Sequence, residues 1–214
     1  MAVVSPALTD YVEAHTTPPD ELLHSLERWT HLNMAQPRMI AGAYQGQLLT
    51  MVTQMIRPQR ALEIGSYVGY STICLARGLA PEGVLHAVEV DEECEPKIRR
   101  HLAQAGLAHR VRLHIADAQE VVPSLGSEFD FVFVDAGKNH TLQHYQLALS
   151  CLRQGGWLLV DNVLWDGKVL LSSFSDQDTL RFRLFNDFVQ SDPRVSNILL
   201  PLRDGLMLCR KLSD

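Results

Sequence analysis

The 214-residue chain is poor in the features that would take it out of the ordinary globular class. No apolar run approaches the about 18 residues needed to cross a bilayer. The opening MAVVSPALTD has neither the basic start nor the apolar stretch of a secretory signal. Insertion in or export across a membrane is therefore not expected, and the chain reads as cytoplasmic. Cysteine is scarce and scattered: Cys74, Cys94, Cys151 and Cys209 form no C-x-x-C pair. That spacing excludes a zinc ribbon or a dithiol redox motif and leaves reduced packing residues. The nine histidines are read as surface or core filler rather than metal ligands. Positive charge is also short, with 19 Lys+Arg against 25 Asp+Glu and a formal net charge of −6. No basic run exists to release counterions from a phosphate backbone, so a small molecule is the better partner.

What remains, 46% hydrophobic and 21% charged residues, is enough to build a sizeable core. The chain is read as a single domain, 1–214, with an N-terminal helical cap over 1–58 and an α/β core over 59–214. In the cap, Leu22, Leu23, Leu26 and Trp29 recur at helical spacing after Pro19 and Asp20, and Gln45 to Ile56 repeats the pattern. QPRMIAGAYQGQ between them reads as a loop-like interruption. From residue 60 short apolar runs (ALEI, VLHAVEV, VRLHIA, FDFVFVD, GGWLLVDN) alternate with amphipathic stretches. This predicts a doubly wound parallel sheet with helices on both faces. VSNILLPL and GLMLCRK, separated by RDG, predict a closing antiparallel hairpin.

In such a sheet ligands bind beyond the carboxyl ends of the strands. The first strand ends in ALEIGSYVGYST, where Gly65 and Gly69 allow close backbone approach at the start of a helix. The dinucleotide signature G-x-G-x-x-G is absent, because Ser66, Tyr67 and Val68 separate the glycines. Glu63 would repel a pyrophosphate but tolerate an ammonium, as at the methionine end of S-adenosylmethionine. The second strand ends at Glu89, near the ~20-residue spacing from the glycine turn at which an acid accepts ribose hydroxyls. Asp91, Glu92 and Glu93 beside it would equally favour a helix start.

FDFVFVDAGK puts Asp135 at a strand tip with Lys138 three residues on, and WLLVDNVLWDG puts Asp161 and Asn162 at the next tip. Neighbouring strands would bring Asp135, Asp161 and Asn162 together. Three oxygen donors suit Mg²⁺ or another hard cation such as Mn²⁺ or Ca²⁺. Each aspartate alone could be a helix cap and DN alone a turn, so the weight lies on their joint occurrence.

ALEIGSYVGYS, VDAGK, LLVDNVLWDGKV and PLRDGLMLCRK together resemble the cation-dependent class I O-methyltransferases of the catechol and caffeoyl-CoA group, from QPRMIAGAYQGQ to the C-terminus. The resemblance implies a Rossmann-like, doubly wound seven-stranded sheet, mostly parallel, with an antiparallel C-terminal strand and N-terminal helices. It implies S-adenosylmethionine as cofactor, with Glu63, Gly65 and Ser71 at its methionine end and Glu89 at the ribose. Ala118 and Gln119, assisted by Asp117, would edge the adenine, Met39 and Ala41 would cover the cofactor, and Asp135 would stand beside it. Asp135, Asp161 and Asn162 would ligate the metal, Lys138 would be the general base on the acceptor, and Asn162 and Trp165 would contact the acceptor. The acceptor implied is a small aromatic diol, and a homodimer is implied as well. Gly137, Asn139, His140 and Thr141 depart from the D-A-D-K-plus-aromatic pattern of plant members, which leaves an acyl-CoA acceptor open. Two other readings are a tRNA hydroxyuridine O-methyltransferase of the same family, opposed by the acidic balance, and a nucleoside- or NAD-binding protein without methyl transfer, opposed by the missing signature and the acid set.

Overall fold

The computed structural model describes residues 5–213. Three helices come first: α1 (Pro6–Ala14), α2 (Glu21–Asn33) and α3 (Gly42–Ile56). Asp20 starts α2 by accepting from the Leu23 N–H at 3.0 Å, which satisfies one of the free donors of the first turn. Then strands and helices alternate: β1 (Arg60–Ile64), α4 (Tyr70–Ala76), β2 (Val84–Glu89), α5 (Glu95–Gln104), β3 (Val111–Ile115), α6 (Ala118–Val121), β4 (Phe129–Val134), α7 (Thr141–Cys151), β5 (Leu152–Asp161) and α8 (Gln177–Ser191). The hairpin β6 (Val195–Leu200) and β7 (Leu206–Lys211) closes the chain.

The seven strands form one sheet in the order β3-β2-β1-β4-β5-β7-β6. Neighbours among β1 to β5 are parallel, and β7 runs antiparallel between β5 and β6. The strand order therefore reverses between β1 and β4, which makes the carboxyl ends of those strands the expected ligand crevice. Two cores cover the two faces. Phe131 and Phe133 of β4 pack with Leu49, Ile73 and Leu75 on one side, while Val132 and Val134 pack with Tyr145, Leu149 and Phe185 on the other. Fully burying each such phenylalanine contributes about 1.5–3 kcal/mol, and alternation of β4 residues between two apolar layers is why its sequence is apolar throughout.

The fold class, including the antiparallel C-terminal strand, is the expected one. Two boundaries differ. The expected loop over 36–47 is shorter, because α3 already begins at Gly42. Gly46 lies inside that helix for contact rather than flexibility: a Cβ there would stand 2.7 Å from the Tyr70 ring and 3.0 Å from the Cys74 sulfur of α4. β5 also begins earlier, at Leu152, and its register with β4 shifts between the Phe129–Leu152 and Phe131–Trp157 pairs. Among the described residues, no helix is long and apolar enough to cross a membrane.

Candidate active site

Gly65 directly follows β1 where that strand meets β4. Its N–H donates to the Val88 carbonyl at 2.9 Å, and the Asp135 N–H donates to the Ile64 carbonyl at 2.9 Å. With φ at +95° and an added Cβ only 2.0 Å from the Asp135 carbonyl oxygen, the position admits glycine alone. Around this junction opens a cavity of about 1080 Å³, lined by the Gly65–Tyr67 turn, Ser71, Glu89, Ala118, Asp135, Lys138, Asp161 and Asn162, among others. Met39 and Ala41 line it from the N-terminal segment, as does Asp117 from the end of β3. Glu63, Gln119 and Trp165 do not line it.

Glu63 instead lies fully buried beneath the turn. Its Oε2 accepts from Thr72 Oγ1 at 2.5 Å and Ser66 Oγ at 3.1 Å, while its Oε1 has no partner. Burial pushes this carboxyl up to about 7, against the pull of the Ser71, Thr72 and Ser66 hydroxyls. Glu89 faces the cavity already engaged. Oε2 accepts from the Ser66 and Tyr67 N–H groups at 3.1 and 2.7 Å, and Oε1 from Val90 and Asp91 at 2.9 and 3.0 Å. Those four donors match the about four lone-pair sites of a carboxylate, so Glu89 ties the β1 turn to the end of β2. Asp117 caps α6 through the Gln119 N–H at 2.8 Å, and the Gln119 side chain is exposed.

At the other end of the cavity, the β4–β5 register pairs Val134 with Val160, so the next residues, Asp135 and Asp161, end adjacent strands. Burial pushes the Asp135 carboxyl well above the ordinary carboxylate range, and the charges of Asp161 and Glu63 act in the same direction. Asp161 is likewise raised by burial, against hydrogen bonds from Gln45 and Asn162. Arg203 and Lys138 pull both back toward ionisation. Asp161 Oδ2 accepts from Gln45 Nε2 at 2.6 Å and Oδ1 from the Asn162 N–H at 2.7 Å. Asn162 follows with φ at +67°, and Trp165 and Asp166 are also left-handed, at +49° and +53°. Such a run is held only by surrounding contacts. Lys138 sits in a short 3-10 turn before α7, its Nζ 3.9 Å from the centroid of the Trp165 ring. The Trp165 indole N–H is buried without a partner.

Among the described residues no three His, Cys, Asp or Glu side chains gather as a metal site. The set present is two carboxylates and one amide, and their chemistry fits a hard cation: buried carboxylates that repel each other are relieved by one. One H-x-x-x-H spacing, against the expectation that the sequence offers none, is His140 and His144, whose ring centroids lie 6.1 Å apart. His140 stands in the 3-10 turn before α7, so the pair does not share one helical face.

The sequence reading missed Gln45 and Arg203. Gln45, 1% exposed on α3, bridges Asp161 and Arg203, accepting from Arg203 Nη1 at 3.2 Å. RDG was legible only as a turn, and no local pattern marks a glutamine whose partner is 116 residues away.

Comparison with known proteins follows the same lines. The family model described as O-methyltransferase matches residues 13–212. Caffeoyl-CoA O-methyltransferase 1 from Zea mays is 33% identical over 189 residues, covering 81% of this chain and 72% of its own. A probable caffeoyl-CoA O-methyltransferase 2 from Dictyostelium discoideum is 29% identical, covering 97% of this chain and 92% of its own. Among solved structures, the O-methyltransferase TomG from Streptomyces achromogenes, involved in tomaymycin synthesis and crystallised in complex with SAM, superposes with a TM-score of 0.85 at 30% identity. It covers 97% of this chain and 96% of its own.

Proposed function

The chain belongs to the O-methyltransferase family, and from that premise we propose that it methylates one hydroxyl of a small catechol-like aromatic diol with the help of a divalent cation. It is an S-adenosylmethionine-dependent O-methyltransferase; the cation and the acceptor are the proposed part. The observation that carries the proposal is the Asp135–Asp161 pair, two carboxylates raised by burial on adjacent strand ends with Asn162 and Lys138 beside them.

When bound, S-adenosylmethionine supplies an electrophilic methyl group. A divalent cation would supply Lewis acidity, lowering the pKa of a chelated diol. The protein's own part follows from its residues. The Gly65 backbone and Ser71 would hold the methionine end, with Glu63 bracing the turn from below, and Glu89, its lone pairs engaged by four N–H groups, would orient the ribose by exchanging one of them or through the turn it fixes. Asp117 and Ala118 would edge the adenine with Gln119 outside, and Met39 and Ala41 would close over the cofactor. A cavity of about 1080 Å³ leaves room for an acceptor beside a nucleoside cofactor. Asp135, Asp161 and Asn162 would hold the cation. Lys138 would take the acceptor proton at Nζ. Asn162 would contact the acceptor, with Trp165 behind Lys138 and outside the cavity wall. Holding the reacting atoms in line supplies much of the acceleration. Exposed Tyr11, Met51 and Met55 on α1 and α3 support a homodimer through the N-terminal helices, to be checked by light scattering.

The test is transfer of label from S-adenosylmethionine to a panel of catechols, caffeoyl esters and bulk tRNA, each with Mg²⁺ and with excess chelator. Labelling of a catechol that chelator suppresses is expected. Labelling that ignores chelator overturns the cation, and labelling of tRNA alone overturns the acceptor.

A further inference from the structure

We propose that Arg203 forms an anion subsite beside the acid pair, so that the preferred diol acceptor carries a carboxylate; this rests on the diol reading above. The β6–β7 turn that displays Arg203 is clamped to the chain beyond the Asp161–Asn162 pair. The Val163 N–H donates to the Gly205 carbonyl at 3.1 Å, the Leu164 N–H to the Asp204 carbonyl at 2.7 Å, and the Asp166 N–H to the Asp204 carboxylate. Arg203 itself has φ at +49°, a conformation that costs a non-glycine residue free energy. The fold therefore holds this side chain at the rim of the cavity, from a rigid support, despite local strain.

Its guanidinium is half used. Nη1 donates to the Ile40 carbonyl and to Gln45 Oε1, both at 3.2 Å, which aims the group across the cavity mouth toward the N-terminal segment. Among the described residues nothing accepts from Nε or Nη2, and Arg203 joins no ion pair although Asp161 lies one amide side chain away. Gln45 stands between the two charges and takes the place an ion pair would have. An exposed arginine with an open donor edge, on a fixed support, matches the bidentate geometry of a carboxylate. The other cation beside the acid pair, Lys138, lies over the Trp165 ring and offers a single point charge, so the planar two-donor edge that a carboxylate entering with the acceptor meets is that of Arg203.

The probes are dihydroxybenzoate and the neutral methylcatechol, titrated calorimetrically into the full chain loaded with S-adenosylhomocysteine and Mg²⁺. The wild-type protein is expected to bind dihydroxybenzoate about tenfold more tightly or better, the scale of one charge-assisted contact. Arg203→Met should erase that ratio and Arg203→Lys should keep part of it. Comparing the two ligands within each variant cancels any general loss of stability. The same ratio should appear in KM rather than kcat. Equal binding of both diols by the wild type, or a ratio that survives Arg203→Met, overturns the subsite alone. Failure of both diols to bind overturns the diol reading and the subsite with it.

Discussion

At the β1–β2 end of the cleft, the carboxylate that faces the cavity is answered by the backbone: Glu89 accepts from four N–H groups and locks the Gly65–Tyr67 turn in place. At the β4–β5 end, Asp135 accepts no hydrogen bond among the described residues and shares its surroundings with Asp161, with burial and mutual repulsion opposing ionisation. Glu89 is satisfied without a ligand, whereas ionisation of Asp135 and Asp161 is opposed, and the proposed cation would relieve that cost. Pre-organisation of the first half would lower the reorganisation cost of the cofactor binding proposed there. The unfavourable electrostatics of the second half are the mark of a site built for function rather than stability. The two halves should therefore respond differently to mutation, pH and metal.

The largest effect is expected where they share a peptide. Gly65→Ala drives a Cβ into the Asp135 carbonyl and should cost about 3 kcal/mol or more in denaturant unfolding. A cost under about 1 kcal/mol would mean the strands do not approach so closely. Next, Asp161→Asn separates the halves. Diol methylation should fall about 100-fold or more, while S-adenosylmethionine affinity changes less than about threefold. A parallel loss of cofactor binding would erase the distinction between the halves. Glu89→Gln tests the other half. It should weaken S-adenosylmethionine by about 1.5–3 kcal/mol in calorimetry, and unchanged affinity would remove Glu89 from the site.

The last effect concerns Glu63 and is confined to pH. Its carboxyl is raised from 4.5 to about 7, so the native state binds a proton more tightly than the unfolded chain. The associated stability is fully present below about 4.5 and is lost as pH rises through about 7. Glu63→Gln should match the wild type in acid and exceed it above neutrality in denaturant midpoints taken across a pH series. A constant offset at every pH would show that folding does not shift the Glu63 carboxyl.

Much of this contrast is legible in the amino-acid sequence alone. FDFVFVD and GGWLLVDN are apolar because their strands are covered on both faces, and parallel-sheet topology brings their terminal acids together without knowledge of a single contact. Glu63 is legible as a residue of the turn but not as one beneath it, since burial depends on α4 packing over β1. The saturation of Glu89 by Ser66, Tyr67, Val90 and Asp91 follows from the pairing of β1 with β2. Gln45 and Arg203 are invisible for a related reason: their partners lie 116 and 158 residues away, and only tertiary packing brings them together.

The most direct measurement takes one preparation of the protein and follows S-adenosylmethionine affinity and catechol methylation together, first with Mg²⁺ and then with excess chelator. A preformed cofactor half beside a cation-requiring acid half is expected to keep its affinity within about threefold while methylation falls about 100-fold or more. Affinity and methylation that collapse together, or methylation that persists in chelator, would contradict it.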